Sequence, residues 1–301
     1  MKSSVVEFTS RLKKAGITSS RINAEVILSE AIGCRVIDLY MDEITLNPED
    51  IESAEKMVAA RIDGKPLQHI IGKTCFYGND LLMNEGVFIP RPETEILVDI
   101  AIELASRLRF RADCLKLRIL DLCTGSGNVG ISLTKALTQC KITSSDISDK
   151  SLGIALKNAA LNSVSENMEF IKADLLDIPE KYRETFDIIV SNPPYIRSCE
   201  INSLPDEVRK DPIKALDGGN DGMSFYRRIV EASPAFLKRG GFLVLELSDD
   251  QSKDVKSYIE NTSCFNGIEL FKDLNNIERV IVARLNKNKH RKPNTEYRDN
   301  G

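Results

Sequence analysis

The run Asp187–Ile188–Ile189–Val190–Ser191–Asn192–Pro193–Pro194–Tyr195 closes an apolar strand with four residues of complementary chemistry. Asn192 precedes a proline, which biases its backbone toward the extended region and aims its side chain outward. Pro193 and Pro194 fix two φ angles and donate no N–H, leaving carbonyls that only accept. Tyr195 adds a flat face with a polar tip. Together they suit a planar –NH2 acceptor. Asn192 Oδ1 and the Pro193 carbonyl can take its two hydrogens while its plane stacks on Tyr195. An amide or amino-purine nitrogen is a poor nucleophile because its lone pair is delocalised. Holding both N–H groups out of the original plane restores some sp3 character and points the lone pair at an incoming methyl. This is catalysis by orientation and electrostatics, and it needs no strong base before attack. Asn192, Pro193 and Tyr195 are the catalytic candidates, with Pro194 completing the acceptor site. Alone, the four residues could be a Pro-rich turn that merely ends a strand.

A second constellation changes that balance. Ile119–Leu122 reads as a strand, followed by Cys123–Thr124–Gly125–Ser126–Gly127 and a helix start at about Val129. Gly125 and Gly127 allow a tight turn and close approach of a ligand to the main chain. Asp146 ends the next strand, 25 residues after Asp121, where a carboxylate can accept two ribose hydroxyls. The literal G-x-G-x-x-G would also fit a dinucleotide, but charge argues against one. A pyrophosphate would lie over a turn bordered by Asp121, with no Lys or Arg from Asp121 to Gly130. S-adenosylmethionine (SAM) carries a sulfonium and an ammonium, both favoured by a nearby acid, so Asp121 is expected to belong to the cofactor site. Asp174, after the third strand, is expected to meet the adenine edge or else to cap a helix.

Composition narrows the classes. The chain has 301 residues, Lys+Arg 41 against Asp+Glu 45, a net charge of −4 and no Trp. That disfavours nonspecific duplex binding and a groove of stacked aromatic rings. The seven cysteines form no C-x-x-C pair, so neither a zinc site nor a secreted disulfide framework is expected. With two histidines, His69 and His290, a Ser–His–Asp triad has little to work with. No signal-peptide core and no apolar stretch near membrane-spanning length is visible, so the expected location is the cytoplasm.

These residues need a frame. Four segments are expected: a helical domain over 1–66, a β-hairpin linker over 67–90, a catalytic domain over 91–286 and a polar tail over 287–301. Asn47–Pro48 marks a helix start. Leu67–Ile71, Thr74–Tyr77, Leu81–Met83 and Val87–Ile89 read as short extended pieces between turn signals. Beyond Glu93, strands alternate with helices, which implies a mostly parallel sheet covered on both faces. Helices are expected at Ser224–Leu237 and Asp250–Asn261. Ile268–Lys272 and Val280–Leu285 are joined too closely for a crossover and must pair antiparallel.

The glycine turn, Asp146, Asp174 and Asn192–Tyr195 resemble class I SAM-dependent methyltransferases acting on planar nitrogens, a Rossmann-like fold. Further stretches resemble the HemK/PrmC family of protein-(glutamine-N5) methyltransferases. These are Pro66–Gly72, Phe88–Glu95 (its L-I-P-R-P-E-T-E) and Ala215–Gly222 with Tyr226 (its A-L-x-G-G-x-D-G-L-x-x-Y). The resemblance implies methyl transfer from SAM to the glutamine of the Gly-Gly-Gln motif in peptide chain release factors. It implies that Cys123, Thr124, Gly125, Ser126, Gly127, Asp146, Leu175 and Asn192 bind SAM, and that Asn192, Pro193, Pro194 and Tyr195 bind the glutamine. The N-terminal domain and hairpin would grip the release factor, and Arg91 and Glu93 would lie near the site mouth or form a salt bridge. The enzyme is expected to be a monomer without stable nucleic-acid, membrane or metal binding. The competing reading is a DNA or RNA amino-group methyltransferase, since Asn-Pro-Pro-Tyr is shared with such enzymes. A NAD-dependent oxidoreductase and a non-enzymatic nucleoside-binding scaffold are weaker alternatives. Three departures from the family pattern stand out. Cys123 replaces a glycine and must hold φ below zero or accept strain. Leu175 replaces an aromatic, and Ser248 a glycine.

Overall fold

The structure is a computed structural model and describes residues 2–41, 46–109 and 116–287. The tail beyond Lys287 lies outside the described residues. The chain divides into two compact units.

The first unit takes Met1–Thr74, Met83–Glu85 and Pro205–Lys210. Its helices are α1 (Lys2–Lys14), α2 (Ser20–Ile32), α3 (Asp38–Met41), α4 (Pro48–Ile62) and α5 (Leu67–Ile71). Phe8 and Leu12, Ile27 and Leu28, and Ala54 and Val58 recur at helical spacing and meet in one core. Each large side chain buried there contributes about 1.5–3 kcal/mol. The α4 start follows the expected chemistry: Pro48 opens the helix and Asp50 accepts the Asn47 N–H at 3.1 Å. Arg61 is buried but satisfied, donating to Asn23 Oδ1 at 2.7 Å and to Glu207 Oε2 at 2.9 Å.

Residues 67–71 are helical, not extended. Pro66 and a left-handed Gly72 bracket the segment, and the Pro66 carbonyl accepts both His69 and Ile70 N–H at 3.1 Å. Three alternating residues were too short a period to outweigh a Pro start and a Gly stop. The hairpin comes next: β1 (Lys73–Phe76) and β2 (Asn79–Leu82) form a two-stranded sheet. Its loop is Tyr77–Gly78, both at positive φ, as a tight two-residue turn requires. Tyr77 is pinned there by Glu95, which accepts its N–H at 2.8 Å, and by Asp99, which accepts its hydroxyl at 2.6 Å.

The second unit takes Cys75–Leu82, Gly86–Leu204 and Asp211–Gly301. Val87 and Ile89 are buried but belong to no strand. The Ile89 N–H is taken by the Asp211 carboxylate at 3.3 Å rather than by a neighbouring backbone. The remaining elements are α6 (Glu95–Arg109), β3 (Leu117–Leu122), α7 (Asn128–Ala136), β4 (Cys140–Asp146), α8 (Asp149–Leu161), β5 (Met168–Lys172), β6 (Phe186–Ser191), α9 (Ile213–Leu216), α10 (Ser224–Ala232), β7 (Leu237–Glu246), α11 (Ser252–Thr262), β8 (Phe265–Lys272) and β9 (Glu278–Leu285). The helix expected to reach Leu237 stops at Ala232, because Pro234 cannot continue it, and Leu237 already opens β7.

The seven strands lie in the order β5-β4-β3-β6-β7-β9-β8. All pair in parallel up to β7, and β9 runs antiparallel between β7 and β8. Alternate residues of β3 face opposite cores. Leu120 and Leu122 pack with Tyr226, Ile229, Val255 and Ile259 of α10 and α11, while Leu117 and Ile119 pack with Leu97, Val98 and Ile131 of α6 and α7. The chain leaves β3 toward β4 on one side and returns to β6 on the other, so the strand order reverses at β3. In such sheets ligands bind at the carboxyl ends of the strands on either side of that reversal.

Candidate active site

Register brings the sequence candidates to one edge. Ser145 pairs with Leu122, Leu122 with Ser191, and Ser191 with Leu245. Asp146, Cys123, Asn192 and Glu246 therefore each stand one residue beyond the same row, on four adjacent strands. Neighbouring strands are about 4.8 Å apart. The Ser191 hydroxyl donates to the Leu122 carbonyl at 3.0 Å and ties the β6 end to the β3 end.

The glycine loop is built largely from its own carboxylates. Asp121 Oδ2 accepts the Thr124 hydroxyl at 2.5 Å, the Gly130 N–H at 3.1 Å and the Ser144 hydroxyl at 3.4 Å. Its side chain is buried, and burial pushes its pKa up to about 7. All three hydrogen bonds fall on Oδ2, so Asp121 shapes the loop through one of its two carboxylate oxygens. Asp146 braces the loop from β4, its two oxygens accepting the Gly125 and Ser148 N–H groups, each at 2.9 Å. Burial raises its pKa as well. Each carboxylate oxygen has two lone-pair sites, so Asp146 keeps acceptor capacity for hydroxyls.

Cys123 takes the strained alternative, with φ +58°. A left-handed non-glycine residue costs on the order of 1 kcal/mol. Burial pushes its thiol pKa upward, away from nucleophilic chemistry. Thr124 and Ser126 are buried, and the hydroxyls of Ser126 and Ser145 have no hydrogen-bond partner among the described residues. Leu175 is buried at φ +51° after β5. Asp174 beside it neither caps a helix nor stands free, since its Oδ1 is 2.9 Å from Arg228 Nη2 on a half-exposed face. Any adenine contact would compete with that ion pair.

The Asn192–Tyr195 loop is held from outside. The Tyr195 carbonyl accepts Gln251 Nε2 at 3.0 Å. Ile196 donates to the Leu216 carbonyl at 2.9 Å, and Gly218 donates back to the Ile196 carbonyl at 2.8 Å. The backbone comes so close that a Cβ at Gly218 would lie 2.7 Å from Tyr195 Cα. One at Gly222 would lie 2.5 Å from the Tyr195 oxygen and 2.1 Å from Gln251 Nε2. That is why the Ala215–Gly222 stretch carries its glycines. Pro193 and Pro194 are buried, while Asn192 and Tyr195 are half-buried. Asn192 Nδ2 donates to Thr94 Oγ1 at 3.1 Å, which leaves Oδ1 as the amide atom for a ligand. The Tyr195 hydroxyl donates to Glu246 Oε1 at 3.4 Å, and burial beside that carboxylate raises its pKa.

Arg91 does form a salt bridge, to Asp211 at 2.5 Å, and both residues lie in the second unit. Sequence reasoning passed over Thr94, Glu246 and Gln251 as functional positions. Thr94 sat unremarked inside the Phe88–Glu95 motif. Glu246 ends β7 as Asp146 ends β4, a signal that the strand-end rule could have used.

The residues present fit SAM on chemistry: acids and uncommitted hydroxyls surround the loop, and no cation lies between Asp121 and Gly130. Comparison with known proteins agrees. The PrmC N-terminal domain matches residues 5–72, and a methyltransferase domain matches residues 115–292. A release factor glutamine methyltransferase of Thermodesulfovibrio yellowstonii is 36% identical over 265 residues, covering 88% of this chain and 92% of its own. That of Clostridium botulinum is 35% identical over 286 residues, covering 94% and 99%. The solved hMettl16 catalytic domain, in complex with MAT2A 3′UTR hairpin 6, is 15% identical with a TM-score of 0.56, covering 83% of this chain and 86% of that one, and shows the fold alone. No helix among the described residues is long and apolar enough to cross a membrane. The chain belongs to the release factor glutamine methyltransferases, with a PrmC-type N-terminal domain followed by a class I methyltransferase domain.

Proposed function

We propose that the chain methylates the side-chain amide N5 of the glutamine in the Gly-Gly-Gln motif of release factors, and that Asn192–Tyr195 is where that amide binds. The observation that carries the assignment is the Asn192 hydrogen bond to Thr94, which leaves Oδ1 as the acceptor presented to the substrate. Asn192 Oδ1 and the Pro193 carbonyl take the two amide hydrogens, and Tyr195 stacks against the amide plane. Cys123–Gly127, Asp146, Leu175 and Asn192 hold SAM, which supplies an electrophilic methyl when bound. Held this way, the amide nitrogen would take the methyl that SAM would supply and lose one N–H proton to water. The two acceptor oxygens stabilise the positive charge that develops on that –NH2 group. The absence of stable nucleic-acid binding fits the chain's acidic charge balance.

The test is incubation with labelled SAM and a release factor, wild-type or with the Gly-Gly-Gln glutamine replaced by alanine. Label on the wild-type factor alone supports the reading. Equal label on both, or transfer to DNA or RNA but not to protein, overturns it.

A further inference from the structure

Asn158 of α8 is fully buried, and all of its hydrogen bonds go to main chain. Its Nδ2 donates to the Ser126 carbonyl in the glycine loop at 2.9 Å and to the Leu82 carbonyl of β2 at 3.1 Å. Its Oδ1 accepts the Leu82 N–H at 2.6 Å. Two carbonyls on the nitrogen and an N–H on the oxygen leave the amide one orientation. Leu82 lies in a sheet of only two strands, and this one side chain takes both of its backbone groups, as a peptide of a third strand would. The glycine loop has a use for such a partner. Ser126 stands between Gly125 at φ +56° and Gly127 at φ +84°, two residues with wide backbone freedom. Asp121 and Asp146 hold Thr124, Gly125 and Gly130, and Asn158 holds the carbonyl between them.

The same helix face carries the connection further. Ala155, Asn158 and Asn162 follow at spacings of three and four, so they share one face of α8. A Cβ at Gly127 would lie 3.1 Å from Ala155 Cβ, so α8 packs directly on the glycine loop. At the other end, Asn162 Nδ2 donates to the Asp80 carbonyl of β2 at 2.8 Å. From β2, Asn79 Nδ2 donates to Ser132 Oγ on α7 at 3.1 Å, and that hydroxyl donates to the Asn128 carbonyl at 2.7 Å. The strand is therefore bonded to α7, which leaves the glycine loop, and to α8, which packs on it.

We propose that Asn158 is a positioning residue for the cofactor, and that through its pairing with Leu82 the β2 strand is part of the frame that holds the glycine loop in its SAM-binding shape. The hairpin then does more than link the domains. The inference rests on the assignment of Cys123–Gly127 to SAM made above. A loop that holds its binding shape for only a fraction of the time binds its ligand more weakly by that fraction. Once SAM saturates the site, the acceptor loop, which Asn158 does not touch, works as before. Damage to Asn158, or to β2 at Leu82, should therefore fall on SAM affinity and spare kcat.

The experiment compares Asn158→Ala, Leu82→Pro and Asp146→Ala with the wild-type chain. SAM affinity is measured by calorimetry, kcat by methyl transfer to a release factor at saturating SAM, and loop order by amide hydrogen exchange in the SAM-free protein. Leu82→Pro deletes only the N–H that Asn158 accepts, and a strand edge tolerates proline where its N–H points away from the paired strand. Asn158→Ala should weaken SAM about 10- to 100-fold and Leu82→Pro about 3- to 10-fold, each with kcat within about twofold of wild type. Exchange at the Thr124, Gly125 and Gly127 amides should quicken in both variants. The Ile196 and Gly218 amides, which brace the acceptor loop, should exchange as in the wild type. Wild-type SAM affinity in Asn158→Ala overturns the positioning role, and wild-type affinity in Leu82→Pro overturns the part given to β2. Exchange that quickens equally at Ile196 and Gly218 makes Asn158 a general structural residue and also overturns the inference. If Asn158→Ala does not fold, Leu82→Pro decides alone. Wild-type SAM affinity in Asp146→Ala instead overturns the placement of SAM at this loop, on which the inference rests.

Discussion

The glycine loop after β3 and the Asn192–Tyr195 loop after β6 end neighbouring strands in one register row, yet they are held in opposite ways. The glycine loop is braced by residues close in sequence: Asp121 inside it, Gly130 at the start of α7, and Asp146 at the end of the next strand. The Asn192–Tyr195 loop has little of its own to hold it once two prolines have removed two backbone donors. Its braces come from Thr94, Gly218, Gly222, Glu246 and Gln251, from before α6 to α11. A loop built from local contacts can form with its own strand and wait for a small, invariant cofactor. A loop built from distant contacts is correct only when the whole second unit is folded, which suits the part that must aim a nitrogen.

If the two loops are separately held, damage to them should separate in the kinetics. The largest effect belongs to Asn192→Ala, which should lower kcat by about 100- to 1000-fold, as loss of one preorganised polar group does. Its SAM affinity, by calorimetry, should change by less than about tenfold, because the glycine loop is intact. Asp146→Ala should do the reverse. Removing a charged acceptor of hydroxyl hydrogen bonds should weaken SAM about 10- to 100-fold, with a smaller change in kcat at saturating SAM. A variant that damages both constants equally would mean the two loops act as one unit.

Gly222→Ala tests the external brace. A methyl at that position meets the Tyr195 oxygen and Gln251 Nε2 at φ +74°, with no flexible tip to yield on the backbone side. Thermal unfolding should show a loss of about 1–3 kcal/mol, with kcat falling and SAM affinity spared. The smallest effect is expected from Cys123→Gly. Relief of the left-handed strain at φ +58° is offset by the greater backbone freedom of glycine in the unfolded chain, so stability should shift by less than about 1 kcal/mol.

The same contrast explains what could be read from the residues alone. The glycine turn, Asp146 and Asn192–Tyr195 were legible because each is a short string whose chemistry is complete within a strand end and its turn. Alternation of strands and helices predicted the sheet, and the brevity of the link between Ile268–Lys272 and Val280–Leu285 predicted their antiparallel pairing. The contacts of Thr94 with Asn192 and of Glu246 with Tyr195 were not legible, since 98 residues separate Thr94 from Asn192 and only the register row brings Glu246 beside the loop. The way Asp121 closes the glycine loop was hidden for a related reason, since it depends on three hydrogen bonds to Oδ2 that spacing does not reveal. The helix at Leu67–Ile71 shows the limit of periodicity over five residues, where Pro66 and Gly72 outweigh it.

The central claim is that Asn192–Tyr195 orients one glutamine amide of a release factor for methyl transfer. Its most direct measurement is fragmentation mass spectrometry of the release factor after reaction with SAM and either the wild-type enzyme or Asn192→Ala. The account predicts a single added methyl on the side chain of the Gly-Gly-Gln glutamine with the wild-type enzyme, and an unmodified peptide in the same time with Asn192→Ala. A methyl on another residue, or the same extent of glutamine methylation by Asn192→Ala, would contradict it.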